Sequence, residues 1–458
     1  MTRLPLVSVP RSVDSETTFM ERWIKFFIWA YLILLIAEGA LRKWFLPSLA
    51  DPLLIIRDPV VLAIYFLAFA TQKFPTNPWV LAVVALAIAS FMASFIAGQT
   101  NMIVTLYGMR INYLHLPLIW VMGEVLDRKD VAQLGTALLL IAIPMTALMT
   151  VQFESPMNAF INCGVGNDEG GQIFGAAGRI RPPGTFAFIT GPQMFYPLVA
   201  AIFLHQISED RKLWWPVILA SGLSLIVAAP ISISRTVMLS CLAVFAVFLL
   251  TLPLTGSRST AAILRGLFGL GAVAVGVSFI PIFHVAQDVF MERWQTAAES
   301  TDGNAWGGVA ERVTGDVLDP FYWAADAPVF GYGIGVGSNV GGRLLSGEAG
   351  FMLAEDEWGK IFLELGPMLG GAFIGFRVVL TAYLGLTAFK ALRETGDNLP
   401  ILIFASCVTV VAQAQWAPPT IMGFAVFDAG LLIAAANHPL AEEDEEEPEG
   451  GLAEPSEA

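Results

Sequence analysis

Glycine occupies every second position from Gly331 to Gly337 in the stretch PVFGYGIGVGSNVGGRLL, and an arginine, Arg343, closes the same run. A glycine-rich run can cradle a phosphate on its backbone N–H groups when a strand precedes it and a helix N-terminus follows; without that frame it is a flexible surface loop. Arginines are the second chemical signal. Arg42, Arg57, Arg179, Arg181, Arg235, Arg293, Arg312 and Arg343, together with Lys43 and Lys360, fall in or beside connections between apolar segments. A guanidinium binds two phosphate oxygens at once, so a concavity lined by several suits a phosphate or pyrophosphate. Snorkelling to lipid headgroups is the bland account of any single one. Arg235 is harder to dismiss, because it sits in PISISRT, a very short connection where a bare cation calls for an anion.

The elements that must position these residues are mostly hydrocarbon. Of 458 residues 56% are hydrophobic and 14% charged, with a mean hydropathy of +0.67. That is far more apolar than a soluble globular chain. The apolar stretches are unbroken runs of about 17–22 residues, as membrane-spanning helices require, and lack the two-residue alternation of barrel strands. The expected fold is an all-α polytopic membrane protein of about twelve helices. They are read near Ile24–Leu41, Arg57–Thr71, Trp79–Ala97, Met102–Met122, Ala132–Val151, Gln193–His205, Trp214–Pro230, Thr236–Leu254, Ala262–Pro281, Lys360–Phe389, Pro400–Gln415 and Ile421–Asn437. No internal repeat stands out. The first span has a polar leader and no small-residue cleavage site, so it reads as a retained helix and not a signal peptide.

Arg3, Arg11, Arg22, Lys25, Lys73, Arg128, Lys129, Arg211, Lys212, Arg258, Lys390 and Arg393 all fall on one side of this arrangement. The positive-inside rule makes that side cytoplasmic, with both termini there. The expected organisation is a cytoplasmic N-terminus over 1–23, a helical domain over 24–440 with outward loops at about 152–192 and 282–359, and an acidic cytoplasmic tail over 441–458. Nine acids and no base lie between Glu442 and Glu457, so the tail carries most of the net charge of −14. It cannot bury apolar surface and is expected to be disordered, with a partner-binding role left open. Cys163, Cys241 and Cys407 are too scattered for a disulfide framework or a zinc cluster, so no metal or redox cofactor is expected.

Two outward loops could house chemistry. The first contains GRIRPPGTFAFITGPQMF, in which Arg179 and Arg181 point the same way in an extended segment ahead of a Pro-Pro stiffener. The second holds ERVTGDVLDPFYWAADAPVFGYGIGVG and ends in AGFMLAEDEWGKIFLELGPMLGG. The order of RPPGTF, SISRT, an arginine ahead of Tyr-Trp and APVFGYGIGVG, then an acidic-aromatic segment and ELGPMLGG, resembles the O-antigen ligase and O-antigen polymerase superfamily of bacterial inner membranes. The resemblance covers roughly Arg179 to Gly371, and EGALRKWFLP and IRDP near the N-terminus resemble polymerase-like members. It implies a membrane-embedded, metal-independent, inverting glycosyltransferase that moves an oligosaccharide from undecaprenyl pyrophosphate to an acceptor glycan in the periplasm. Nucleic acid is not an expected partner.

Carried over by position, Arg235 and Arg312 would neutralise the departing lipid pyrophosphate, with Arg179, Arg181 and Arg343 as further phosphate-binding candidates. The glycines would then serve close backbone packing beneath the donor. The chain departs from the ligase pattern where a His-Asn pair is expected: Glu355 and Asp356 stand there, Glu355 eleven residues before Gly366. A carboxylate with a raised pKa could act as base toward the acceptor hydroxyl. Equally, AEDEWGK could simply cap the following helix. The missing histidine favours polymerase over ligase; His115 and His438 are poorly placed, while His205 and His284 read as interfacial. Within the spans, Glu38 and Arg110 are costly in hydrocarbon and read either as a structural pair or as lining for the donor headgroup. Trp44, Trp214, Trp215 and Trp416 read as interfacial aromatics. The rival class is a transporter or flippase of a lipid-linked or anionic solute, which would explain intramembrane charge but not the two long loops.

Overall fold

The computed structural model describes residues 12–166, 168, 171–208, 214–254, 271, 281–299, 314–315, 318–347, 353–354 and 356–437. Helices α1 (Ser12–Ala40), α2 (Asp58–Ala70), α3 (Pro78–Ile96), α4 (Met102–Met109), α5 (Leu118–Val125) and α6 (Arg128–Glu154) form the first part of a bundle. Helices α7 (Thr190–Ser208), α8 (Trp215–Ile231) and α9 (Arg235–Thr251) follow, then α10 (Pro281–Glu299), α11 (Pro320–Asp326), α12 (Asn339–Ser346), α13 (Glu357–Thr395), α14 (Leu399–Ala412) and α15 (Pro419–Asn437). Among the described residues seven helices are long and apolar enough to cross a membrane, with α8 and α14 as shorter apolar helices. The chain is an all-α multi-pass membrane protein. The span expected near Ala262–Pro281 and the acidic tail lie almost wholly outside the described residues.

Large apolar side chains such as Ile33, Phe66, Ile88, Met92, Leu250 and Leu386 stand exposed along the outer helices. In a soluble protein so much bare hydrocarbon would drive association; here it is the surface that lipid covers. Polar side chains such as Ser90, Thr146, Gln152 and Asp428 turn inward. Of the seven apolar spans the most enclosed is α15, 83% buried across its apolar window, and it packs on α5, α14, α13 and α7.

Ion pairs tie together one end of the bundle. Asp127 and Asp130 form a reciprocal capping box at the start of α6, and Lys25 reaches both carboxylates, at 3.0 and 2.5 Å. Burial pushes the Asp127 carboxyl up, but the Asp130 N–H and the Lys25 ammonium outweigh it and hold the group down at about 2. Arg128 meets Asp397 at 2.8 Å, joining α6 to the α13–α14 turn, and Lys73 meets Glu21.

The opposite end carries the irregular segments. The chain leaves α1 through a π turn (Leu41–Phe45) and two short 3-10 turns before entering α2. The connection between α6 and α7 is shaped by a two-stranded ribbon, β1 (Phe174–Ala176) against β2 (Arg179–Ile180). Helix α10 buries Phe283, Ala286, Val289 and Phe290 and packs on α8 and β1. Helix α13 is broken at Gly366, whose φ of 79° and ψ of 170° are not helical, just ahead of Pro367. A proline cannot donate the i→i−4 bond, and glycine alone adopts this backbone cheaply, so the pair enforces the break.

Candidate functional site

The glycine run lies in a slot between α3, α4 and the first turns of α13. Gly331, Gly333 and Gly335 have φ of 67, 101 and 90°, in the region that favours glycine. A Cβ on Gly335 would come within 2.3 Å of the Val104 carbonyl, and one on Gly331 within 2.3 Å of the Glu364 carbonyl. Gly108 and Gly366 answer from the helices, where a Cβ would strike the backbone of Gly335 and Val329. The loop's N–H groups point into protein: Tyr332 to Leu363 O, Gly333 to Glu364 O, Ile334 to Ser94 Oγ and Gly337 to the Glu364 carboxylate at 2.7 Å. These four donors are therefore engaged by acceptors of the chain itself, and the glycines serve contact between backbones.

Beneath the loop is a buried charged cluster on α13. Glu357, Lys360 and Glu364 share one face at helical spacing, and none exceeds 3% exposure. Lys360 meets Glu357 at 2.5 Å. Arg377 donates to the other Glu357 oxygen at 3.0 Å and to the carbonyls of Val411 and Ala414, and its guanidinium lies 3.8 Å from the Trp416 ring centroid. Buried charges are tolerable only when paired and hydrogen-bonded this fully. Trp416 is accordingly buried against Arg377 and is not the interfacial aromatic expected from its position.

A second cluster gathers the N-terminal motifs EGALRKW and IRDP with MRINYLH. Glu38 pairs with Arg42 at 3.2 Å and Arg57 at 3.6 Å, while Arg110 pairs with Asp58. Glu38 and Arg110 thus belong to one network but are not each other's partners, because the turn between α1 and α2 brings Arg57 and Asp58 between them. From Arg57 the hydrogen bonds run on to Tyr31 (3.1 Å), His115 (3.0 Å) and Asp58 (3.0 Å). Arg57 also donates to Pro419 O. Arg57 and Arg377 therefore hold the α14–α15 connection from both sides.

Arg42, Lys43, Arg57 and Lys360, read in sequence as loop cations, are all buried. Charges set between apolar runs are drawn inward when carboxylates and carbonyls can receive them. Lys43 donates to Gly184 O at 2.9 Å, and Gln152 accepts from Gly184 N and donates to Gly184 O; this anchors RPPGTF to α1 and α6. Arg179 donates to Phe153 O and lies 4.3 Å from the Phe153 ring centroid. Arg181 follows on the same ribbon, its N–H donating to Ile173 O. Arg235 is half-buried at the start of α9, which Ser234 caps. The ribbon and this turn meet, since a Cβ on Gly175 would come within 2.9 Å of Ile233. Arg343 stands elsewhere at the same end, in an exposed pair with Asp51 at 3.0 Å. Asp356 caps α13, accepting from Gly359 N at 2.6 Å. Arg312 and Glu355 lie outside the described residues.

The two buried clusters were missed as clusters, although the sequence carries traces of both: Glu38 and Arg42 at i,i+4, and Glu357 and Lys360 at i,i+3. Outside the spans, burial pushes the Cys163 thiol up. Among the described residues no group of three or more His, Cys, Asp or Glu could hold a metal ion. No protein-family model and no curated protein matches this chain.

Proposed function

We propose that the chain is a metal-independent, inverting glycosyltransferase of the bacterial inner membrane, transferring an oligosaccharide from undecaprenyl pyrophosphate to an acceptor glycan. Either repeat-unit polymerisation or ligation fits the chemistry, and the absence of the His-Asn pair favours polymerisation. The observation that carries the reading is the gathering of Arg179, Arg181, Arg235, Arg343 and the glycine run at one end of an apolar bundle. A donor with an isoprenoid tail and a pyrophosphate head needs that combination: hydrocarbon for the tail and guanidinium forks for the head. In this reading Arg235 and Arg312 stabilise the leaving pyrophosphate, and Glu355 takes the proton of the acceptor hydroxyl. The positive-inside rule places the loop end in the periplasm and both termini in the cytoplasm.

One observation favours a second reading, a carrier of lipid-linked or anionic solute. Asp428 is fully enclosed in α15 and its Oδ1 has no hydrogen-bond partner among the described residues; enclosed carboxylates of this kind mark ion pathways in transporters. Incubating purified protein in proteoliposomes with a labelled lipid-linked donor separates the two. Bond cleavage with release of lipid pyrophosphate supports the transferase, and movement of intact donor across the bilayer supports the carrier.

A further inference from the structure

The N-terminal cluster holds more positive than negative charge. Arg42, Arg57 and Arg110 face only two carboxylates, Glu38 and Asp58, within the network of pairs. Cations gathered in a low-dielectric setting repel one another unless an anion is supplied.

Two guanidiniums retain donors for such an anion. Arg42 directs Nε to Ala50 O and one terminal nitrogen to Glu38. Arg110 directs Nε to Asp58 and one terminal nitrogen to Leu54 O. In each the second terminal nitrogen makes no protein hydrogen bond among the described residues, and neither nitrogen is among the enclosed polar atoms. Tyr107 stands one helical turn before Arg110. Its ring centroid is 5.4 Å from the Arg110 guanidinium, and its hydroxyl has no hydrogen-bond partner among the described residues. The next residue, Gly108, supports Gly335 of the glycine loop, so the three donors stand at the loop end of the bundle.

We propose that Arg42, Arg110 and Tyr107 form a subsite for a phosphate-class anion, built from residues other than Arg235 and Arg312. The guanidiniums supply charge-assisted donors and the phenol a neutral one, a set that matches the several acceptor oxygens of a phosphate. The anion completes the charge balance of the network, so its binding also stiffens the α1–α2 turn. The natural source is either an anionic phospholipid headgroup or the phosphate of a lipid-linked or soluble ester.

The test is calorimetric titration of inorganic pyrophosphate into the full chain held in phosphatidylcholine nanodiscs. The parent should bind saturably. Arg110→Lys, which keeps the charge and loses the fork, should weaken binding about tenfold, and Tyr107→Phe about threefold to fivefold with an unchanged melting temperature. Tyr107→Phe removes one oxygen and no ion pair, so it decides the matter even where an arginine variant fails to fold. The same titration of the Arg235→Ala, Arg312→Ala double variant reports the proposed catalytic clamp separately, and binding should persist there. Competition by added phosphatidylglycerol assigns the anion to a headgroup; its absence assigns it to the ester. No saturable binding in the parent, or unchanged binding in Tyr107→Phe, overturns the proposal.

Discussion

At Asp356 the amide of Asn would keep an oxygen for the Gly359 N–H, so Asp356→Asn should leave the cap and turnover close to the parent. Asp356→Ala should cost about 1 kcal/mol in thermal denaturation, the usual loss for a missing cap. Glu355→Gln is the sharper test of the proposed base: turnover should fall on the order of 10²–10⁴-fold with donor affinity unchanged. Parent-like turnover in Glu355→Gln would leave the acids as a cap alone. Arg235→Ala and Arg312→Ala should each abolish polymer formation at near-normal protein level, with lysine a poor substitute because an ammonium offers no bidentate fork; polymer assays with immunoblotting check both. Glu38 was read against Arg110 and its partners Arg42 and Arg57 were missed, although the i,i+4 spacing to Arg42 was legible in the sequence. Arg377 was not, since its acceptors Val411 and Ala414 lie 34 and 37 residues on and only packing brings them near.

Among the elements, the glycine loop and the broken α13 depend on each other. Gly335→Ala places a methyl group against the Val104 carbonyl at a φ of 90°, so it should unseat the loop and cost several kcal/mol. Gly347→Ala is the matched control: its φ is 81° but nothing among the described residues lies within 4 Å, so about 1 kcal/mol of backbone strain is the expected effect. Limited proteolysis and melting temperature of the two variants should separate accordingly; equal behaviour would mean that close contact with α4 does not hold the loop. The all-α, membrane-spanning character was the most readable part of the chain, because apolar runs of membrane length are a strong signal, whereas the single span expected over Met102–Met122 is broken by a π turn at Arg110–Leu114. The seat of the loop was not readable, because the glycine pattern gives backbone freedom without naming the helices that will approach.

For the whole molecule, removal of Glu442–Ala458 should leave turnover and melting temperature of the purified protein unchanged, since that stretch has no composition for packing. Lost polymer in cells alongside intact activity of the truncated, purified protein would point to a partner recruited by the acidic residues. A reporter fused after residue 437 and another within the α6–α7 connection should map to opposite sides of the membrane. The kink at Gly366 bears on how deep the buried charges sit. Residues 367–395 rise about 43 Å at 1.5 Å per residue, more than the roughly 30 Å of a hydrocarbon core. The segment after the kink can therefore traverse the bilayer unaided, and the turns holding Glu357, Lys360 and Glu364 are free to stand proud of the lipid as a proteinaceous rim. The ion cluster would then stand level with the headgroups yet sealed inside protein, and because none of its three α13 side chains exceeds 3% exposure, its pairs should hold nearly unchanged as salt is raised, as melting temperature across ionic strength would show.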